Sequence, residues 1–272
     1  MGTCLITKLA STVDADLPIF GELEFKIKSA PGTFGRIYGS TYPFRVYVKD
    51  GTAKLRTSSS GSYSSEVSVT AAATTIYFAD PSGSGYTVCV ENKSNINGFN
   101  FGNMSADSVE MDMSELKYNT LGTQFELCQS QYLYGNIDGY DFRTLTRFTC
   151  NGNYSSATRN TVTGNIGAIN APNLTFLSVC VSGITGSINT LNAPNLETLR
   201  IYNTNITGDL KVWAENMWNN GSGRTSGRCF LLGTNGQRIP CTWNGQTIEE
   251  ALNNAHSCYI NFSSSGVTLT AS

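Results

Sequence analysis

Charged residues are scarce in this sequence. Only 14% of the 272 residues are Asp, Glu, Lys or Arg, against roughly a quarter in an average globular domain. The 18 basic and 20 acidic residues give a net charge of −2 and are dispersed, so no basic patch suited to a nucleic-acid backbone exists. Nucleic acid is therefore not expected as a partner. Ser, Thr, Asn and Gly take the place of charge, a composition typical of extracellular β modules, lectins and virion proteins.

Histidine is limited to His256. A single histidine argues against a histidine-based metal site or a nucleophile–histidine pair. The chain also has no G-x-S-x-G, Walker A or G-x-G-x-x-G pattern. Glycosidases need paired carboxylates, for which the densest stretches supply Asp107, Glu110, Asp112, Glu115, Asp138 and Asp141. Solvated turns explain these acids, so we predict no catalytic residue, no metal, no cofactor and no enzyme activity.

Long apolar runs are also missing. A membrane helix needs ~20 apolar residues, which no stretch approaches, and no membrane partner is expected. The opening residues 1–9 lack the basic start, apolar run and cleavage site of a signal peptide. The sequence therefore fits either the mature form of an exported protein or a protein that never passes a secretion machinery, such as a virion protein assembled in a bacterial cytoplasm.

Eight cysteines are present, but none forms a C-x-x-C pair, so the zinc signature fails. Several fall where an apolar residue would sit in a strand. We interpret them as free, buried thiols that act as small hydrophobic residues. A disulfide within Cys229, Cys241 and Cys258 is the alternative.

The first third of the chain alternates apolar and polar residues, the period of strands with one buried face. Asp50-Gly51 is a strong hairpin signal and predicts that the strand before it pairs with a return strand through Ala53 and Leu55. Further short strands are separated by Ser- and Gly-rich turns. Five or six such strands predict a small antiparallel β-sandwich, with strands at residues 20–28, 42–49, 66–70, 74–78 and 86–91.

From about residue 98 the sequence repeats with a 22-residue interval. Ala171-Pro172-Asn173-Leu174 recurs as Ala193-Pro194-Asn195-Leu196, and Ile184-Thr185-Gly186 as Ile206-Thr207-Gly208. The unit resembles the leucine-rich repeat over residues 122–210, with looser copies that contain Leu145, Phe148 and Cys150, and Phe125 and Leu127. Since one repeat cannot bury its own face, the copies must stack. We predict a short solenoid whose core contains Leu177, Val179, Leu199 and Ile201.

The fold class that follows is mainly β, in four segments. Residues 1–30 form an N-terminal attachment segment, 31–97 the antiparallel β-sandwich, 98–209 the LRR-like β-solenoid, and 210–272 a small α+β C-terminal cap. The cap is predicted to hold helices over residues 210–219 and after Thr247, which opens a capping box with Glu250, and a final hairpin of residues 259–262 and 267–270.

Residues between the inward positions of each repeat strand should project to an outer face. One predicted row contains Glu126, Thr149, Ser178 and Arg200, and its neighbour contains Cys128, Asn151, Cys180 and Tyr202. The ligand-binding candidates are Arg200, Tyr202, Asn151 and Ser178, which would hold a glycan or another protein. The same rows are equally consistent with an ordinary solvated sheet.

Motifs at both ends resemble virion proteins of phages and prophages that infect Bacteroides-type bacteria, including crAss-like phages. They include Cys4-Leu5-Ile6-Thr7-Lys8-Leu9 with Gly21-Glu22-Leu23, and Phe262-Ser263-Ser264-Ser265-Gly266-Val267-Thr268. The resemblance implies a non-enzymatic virion component, such as a head fibre, a capsid decoration or a tail-associated protein, with other virion proteins as partners. A bacterial cell-surface LRR adhesin or carbohydrate-binding module is the alternative.

Fibre and decoration proteins are often symmetric oligomers, so a homotrimer or homodimer is expected. The apolar start and the first alternating strand suit strand exchange between protomers. The predicted attachment or oligomer contacts are Leu5, Ile6, Leu9, Phe20 and Leu23.

Overall fold

The computed structural model describes residues 21–29, 34–117, 121–196, 198–201, 203–209, 212–213, 228–231, 239–241 and 268–270. The chain is mainly β and contains a β-solenoid of about five turns. The predicted β-rich class and the predicted solenoid are therefore confirmed.

A ten-stranded sheet forms one side of the molecule. Its strands, in spatial order, are β19 (Ile239–Cys241), β18 (Arg228–Leu231), β16 (Thr198–Arg200), β14 (Phe176–Ser178), β12 (Arg147–Thr149), β10 (Gln124–Glu126), β8 (Ile96–Asn100), β2 (Phe34–Gly39), β6 (Ala73–Phe78) and β4 (Leu55–Arg56).

A seven-stranded sheet forms the opposite side. Its order is β13 (Thr161–Thr163), β11 (Leu133–Asn136), β9 (Val109–Asp112), β1 (Leu23–Ile27), β7 (Tyr86–Val90), β3 (Phe44–Val48) and β5 (Glu66–Val69). A three-stranded sheet contains β15 (Thr185–Ser187), β17 (Asn205–Asp209) and β20 (Thr268–Thr270). Short 3₁₀ helices cover Lys93–Asn95, Met113–Leu116, Ile166–Ala168 and Ile188–Thr190.

The two large sheets continue from the antiparallel first third into the parallel solenoid. Strand β8 pairs antiparallel with β2 on one edge and parallel with β10 on the other. On the opposite side, β9 pairs antiparallel with β1 and parallel with β11. The boundary expected between residues 97 and 98 falls inside β8, so the strands on both sides of it belong to one ladder.

The repeat register follows the hydrophobic pattern of the sequence. Phe125, Phe148, Leu177 and Leu199 are direct neighbours on consecutive parallel strands, and all four are fully buried. The predicted stacking of Leu177, Val179, Leu199 and Ile201 in one core is confirmed, because none of these side chains is exposed. The strand ladder also continues past residue 209, where the sequence repeat stops, since β18 pairs parallel with β16.

One core lies between the sheets. The inward residues of β1 alternate with exposed ones, as the period-two pattern predicts. The ring of Phe25 packs against Phe78, Phe99 and Phe101 of the ten-stranded side at centroid distances of 5.6–6.4 Å. Leu23 is also part of this core and is 0% exposed. It therefore contacts its own chain, and its predicted role in attachment or oligomer contact is wrong.

The predicted return strand after Asp50-Gly51 is wrong. The turn itself forms, because Gly51 has φ +73° and its N–H donates to Val48 O at 2.9 Å. Strand β3, however, pairs with β5 and β7, whereas β4 pairs with β6 in the other sheet. Burial of Leu55 in the core draws the chain across from one sheet to the other.

Four cysteines lie in the described residues with their side chains, and all are free and buried: Cys89, Cys128, Cys150 and Cys180. For these four the interpretation as small hydrophobic residues is confirmed. The predicted contacts Leu5, Ile6, Leu9 and Phe20 lie outside the described residues, as do Tyr202, His256 and nearly all of the two predicted C-terminal helices, of which only Val212 and Trp213 are described, as helical. Among the described residues, no helix has the length and apolar character required to cross a membrane.

Candidate ligand-binding face

The side of the ten-stranded sheet that points away from the core carries polar, aromatic and arginine side chains. These side chains face outward because successive residues of a strand point to opposite sides of the sheet. The positions between them are buried in the core: Ile37, Phe99, Phe125, Phe148 and Leu177. Strand pairing then aligns the outward residues in two rows. One row contains Tyr38, Gly98, Gln124, Arg147, Phe176 and Thr198, and the other contains Arg36, Asn100, Glu126, Thr149, Ser178 and Arg200.

A hydrogen-bond network fixes the centre of this outer face. Tyr38 Oη donates to Gln124 Oε1 at 2.9 Å, and Asn100 Nδ2 reaches both Gln124 Oε1 and Glu126 Oε1 at 3.5 Å. Arg147 binds Glu126 through two contacts of 3.1 Å each. A paired guanidinium and carboxylate of this kind holds both side chains in a fixed geometry.

Phe176 lies between two arginines that come from the strands on either side of its own. The guanidinium carbon of Arg147 is 4.2 Å from the ring centroid and that of Arg200 is 5.0 Å away. Both distances suit cation–π attraction. The two arginines differ in their charge environment, because Arg147 is paired with Glu126 whereas Arg200 has no ion pair in the part of the chain that the structure describes.

The predicted binding residues Asn151 and Ser178 are buried, being 6% and 0% exposed, so their predicted projection to solvent is wrong. Ser178 Oγ donates to Asn151 Oδ1 at 2.8 Å, and Tyr154 Oη lies 3.3 Å from Ser178 Oγ. Residues 152–160, the cover loop, lie over this end of the two predicted rows. The polar atoms of Asn151 and Ser178 therefore bind other parts of the protein.

Asp107 anchors the cover loop. Its carboxylate accepts hydrogen bonds from Gln131 N at 2.8 Å and from Asn153 Nδ2 at 2.6 Å. Arg159, near the end of the loop, binds Asn203 Oδ1 and Asn205 Oδ1 at 3.0–3.1 Å. These bonds connect the loop to both ends of the solenoid repeat region and hold it against Ser178.

The other acids singled out from the sequence take part in local bonds. Glu110 pairs with Lys26 and Lys28 at 2.8 and 3.0 Å, and the hydrogen bond from Lys26 lowers the pKa of the Glu110 carboxyl. Asp141 pairs with Arg143, whose hydrogen bond lowers the pKa of Asp141. The four remaining acids serve as caps, turn anchors or partners of lysine: Asp107, Asp112, Glu115 and Asp138.

Glu22, Glu24 and Cys89 bring their potential metal-ligand atoms within 4.8 Å of one another on the seven-stranded sheet. Each carboxylate is already engaged, because Glu22 accepts a hydrogen bond from Tyr47 and Glu24 pairs with Lys49. Burial raises the pKa of the Cys89 thiol, which opposes the thiolate form that binds metals. This cluster therefore has the properties of a charged sheet surface.

Sequence reasoning identified Arg200 but missed its neighbours Arg147 and Phe176. Both stand directly before an inward residue, Phe148 and Leu177, and so occupy the first outward position of each repeat strand. Once the register of the repeat strands is assigned, the sequence alone predicts that Arg147 and Phe176 face outward. Comparison of the chain with protein-family models, with curated proteins and with solved structures finds no match.

Proposed function

We propose that the chain is a non-enzymatic structural protein of a bacteriophage virion, a head fibre or capsid decoration displayed on the particle surface. One observation carries the proposal: a hydrogen-bonded sheet of defined register presents an outer face of arginine, aromatic and amide side chains. That arrangement suits contact with a host-surface glycan or another protein. The resemblance of the terminal motifs to phage virion proteins supplies the location. Assembly would take place in the cytoplasm of the bacterial host.

In this proposal the parts of the chain have different tasks. Because β1 lies inside the seven-stranded sheet, the attachment segment, expected at residues 1–30, is limited in this proposal to the residues before β1. The antiparallel strands up to residue 97 form a β-sandwich stem, and the solenoid is displayed outward with residues 210–272 as its cap. Support for a stem comes from the strand pairing through β8. Because the hydrogen-bonded ladder continues from the stem into the solenoid, the junction between them resists bending.

A homotrimer or homodimer is part of the proposal. Because Leu23 is taken up by the core, the proposed contacts are Leu5, Ile6, Leu9 and Phe20. Deleting residues 1–19 and measuring the mass in solution tests this arrangement. A smaller particle supports it, and an unchanged oligomer rules this segment out as the main contact.

The test of location is a fusion tag on this chain in phage particles imaged by negative stain after gold labelling. Gold at a fixed position on the particles supports the proposal, with untagged particles as the control. Label on the envelope of uninfected cells instead would favour the bacterial adhesin. Particles that carry no gold would contradict the virion proposal.

A further inference from the structure

The outer faces of the two large sheets differ in charge. On strands β4 to β16 of the ten-stranded sheet, the outward charged residues are four arginines and one acid: Arg36, Arg56, Arg147, Arg200 and Glu126. The seven-stranded sheet mixes both signs in a network of ion pairs, among them Lys26–Glu110, Arg45–Glu66 and Lys49–Glu24. We name the outer face of strands β4 to β16 of the ten-stranded sheet the arginine face.

Three of its guanidinium groups form no ion pair with a residue that the structure describes. Only Arg147 is ion-paired, through Glu126; within the described ranges no carboxylate pairs with Arg36, Arg56 or Arg200. The side chain of Arg36 is exposed, and those of Arg56 and Arg200 are half-buried. All three therefore leave positive charge at the surface for an anionic ligand.

Aromatic rings accompany the arginines at both ends of the face. Arg56 lies 4.6 Å from the ring centroid of Tyr63 and 5.6 Å from that of Tyr77, and the Tyr77 ring is 5.3 Å from that of Phe34. At the opposite end Arg200 lies against Phe176. The pairing of arginine with ring surface suits a ligand that has both carboxylates and apolar C–H faces, which acidic sugars combine.

The spacing of the arginines limits the ligand further. Neighbouring strands are about 4.8 Å apart, so the two strand intervals from Arg200 to Arg147 and from Arg36 to Arg56 span about 10 Å each, and the three from Arg147 to Arg36 about 14 Å. A nucleic-acid strand carries a phosphate about every 3.4 Å, far more densely. One sugar unit is about as long as one strand interval, so the arginines lie two or three sugars apart along a chain laid across the strands. This spacing fits a polymer whose acidic sugars are separated by neutral ones.

We propose that the arginine face binds an acidic polysaccharide whose carboxylate-bearing sugars are separated by one or two neutral sugars. The guanidinium groups bind the carboxylates in the bidentate manner that lysine cannot reproduce, and Phe176, Tyr77 and Tyr63 contact the sugar rings. The inference deepens the proposed surface-binding role. It is nevertheless tested on the purified chain, so failure to find the protein on virions and failure to bind the polymer are separate results.

The experiment measures binding of hyaluronan oligosaccharides, in which glucuronate alternates with N-acetylglucosamine, by isothermal titration calorimetry. The matched neutral probe is the same oligosaccharide after reduction of its carboxyl groups, and a single-stranded oligonucleotide is the third probe. Binding of the acidic sugar alone is expected. No binding of it, equal binding of the reduced form, or tighter binding of the oligonucleotide would each overturn the proposal.

Four variants locate the site. R36Q and R200Q should each weaken binding about tenfold, as expected for loss of a charge-assisted hydrogen bond, while the control R45Q on the other sheet should leave it unchanged. E126Q removes the negative charge that pairs with Arg147. The freed positive charge of Arg147 should tighten binding of the acidic sugar. The side chain of Arg36 is exposed and makes no hydrogen bond to a described residue, so R36Q decides the matter if R200Q fails to fold. Equal losses in R36Q and R45Q, or weaker binding by E126Q, would contradict the assignment.

Discussion

The side chain of Asn151 holds the backbone of the next repeat turn, since its Oδ1 accepts a hydrogen bond from the Cys180 N–H at 2.9 Å. The same oxygen accepts a bond from Ser178 Oγ at 2.8 Å. Asn151 is 6% exposed, and the Cys180 N–H lies in the interior beside it. This residue therefore links two neighbouring turns of the solenoid where the sequence suggested a ligand contact.

Replacing Asn151 by Ala should destabilise the protein, because the buried Cys180 N–H would lose its acceptor. The expected cost is about 1–3 kcal/mol, measured by urea unfolding. The control is Asn195→Ala on the 22-residue repeat, which removes a bond to the Pro172 carbonyl at a less buried position and should cost less. If Asn151→Ala leaves the unfolding midpoint unchanged, Asn151 is not the structural link described here.

Gly186 sits at a corner where only glycine fits. Its φ is +95°, and a Cβ atom would lie 1.9 Å from Asn165 Oδ1. Gly51 also has positive φ, +73°, but a Cβ there would meet nothing within 4 Å. Gly51→Ala should therefore cost about 1 kcal/mol from backbone strain alone, whereas Gly186→Ala should cost at least about 2 kcal/mol because crowding adds to the strain.

Thermal melts of the two alanine variants measure this difference, and Gly208→Val, at φ +137° with Ile188 Cγ1 2.8 Å from the new Cβ, should also be harmful. Equal shifts for Gly186→Ala and Gly51→Ala would show that the close approach to Asn165 does not exist in solution.

Cys128 and Cys150 should resist alkylation in the folded protein. Burial raises the pKa of the Cys128 thiol to about 12 and that of Cys150 as well, and the thiolate is the reactive form. Labelling with iodoacetamide at pH 8, read for each cysteine by mass spectrometry, should modify both only in denaturant. Rapid labelling of either thiol in the native protein would contradict the buried placement.

The same pKa shift has a consequence for stability. The folded protein retains the Cys128 proton to about pH 12, whereas an unfolded thiol loses it near pH ~8.5. The unfolded state therefore binds fewer protons in between, and the free energy of unfolding should fall as the pH rises through this window. The Cys128→Ala variant should lose less stability over the same pH range than the wild-type protein, as measured by urea unfolding at pH 8 and pH 10.

The sequence predicts the register of the solenoid because stacking demands the same inward position in each turn, and Leu177 and Leu199 mark it. The path of the cover loop has no such signature. Its nine residues interrupt the 22-residue spacing, which is visible in the sequence, but its closure over Ser178 depends on Asp107, 46 residues before Asn153. A period reports which side of a strand faces the core, and it cannot report which distant loop covers the other side.

A similar limit explains the missed arrangement of Arg36, Arg56 and Phe176. These residues lie on one face only because β8 joins antiparallel strands to the parallel ladder. The sequence analysis assigns the first third and the repeat region to different domains. The common face of Arg36, Arg56 and Phe176 is therefore visible only in the strand order of the structure.

The inward register of the solenoid supports every assignment of an outer face, and one pair of variants tests it most directly. Leu199 is fully buried, whereas Thr198, one residue before it, points outward on the same strand. Leu199→Ala should cost about 2–5 kcal/mol through lost methyl groups and the cavity left behind, and Thr198→Ala at most about 0.5 kcal/mol. A large drop in melting temperature for Leu199→Ala beside a wild-type melt for Thr198→Ala is the predicted result. If the two variants melt alike, the register is wrong, and the arginine face that depends on it does not exist.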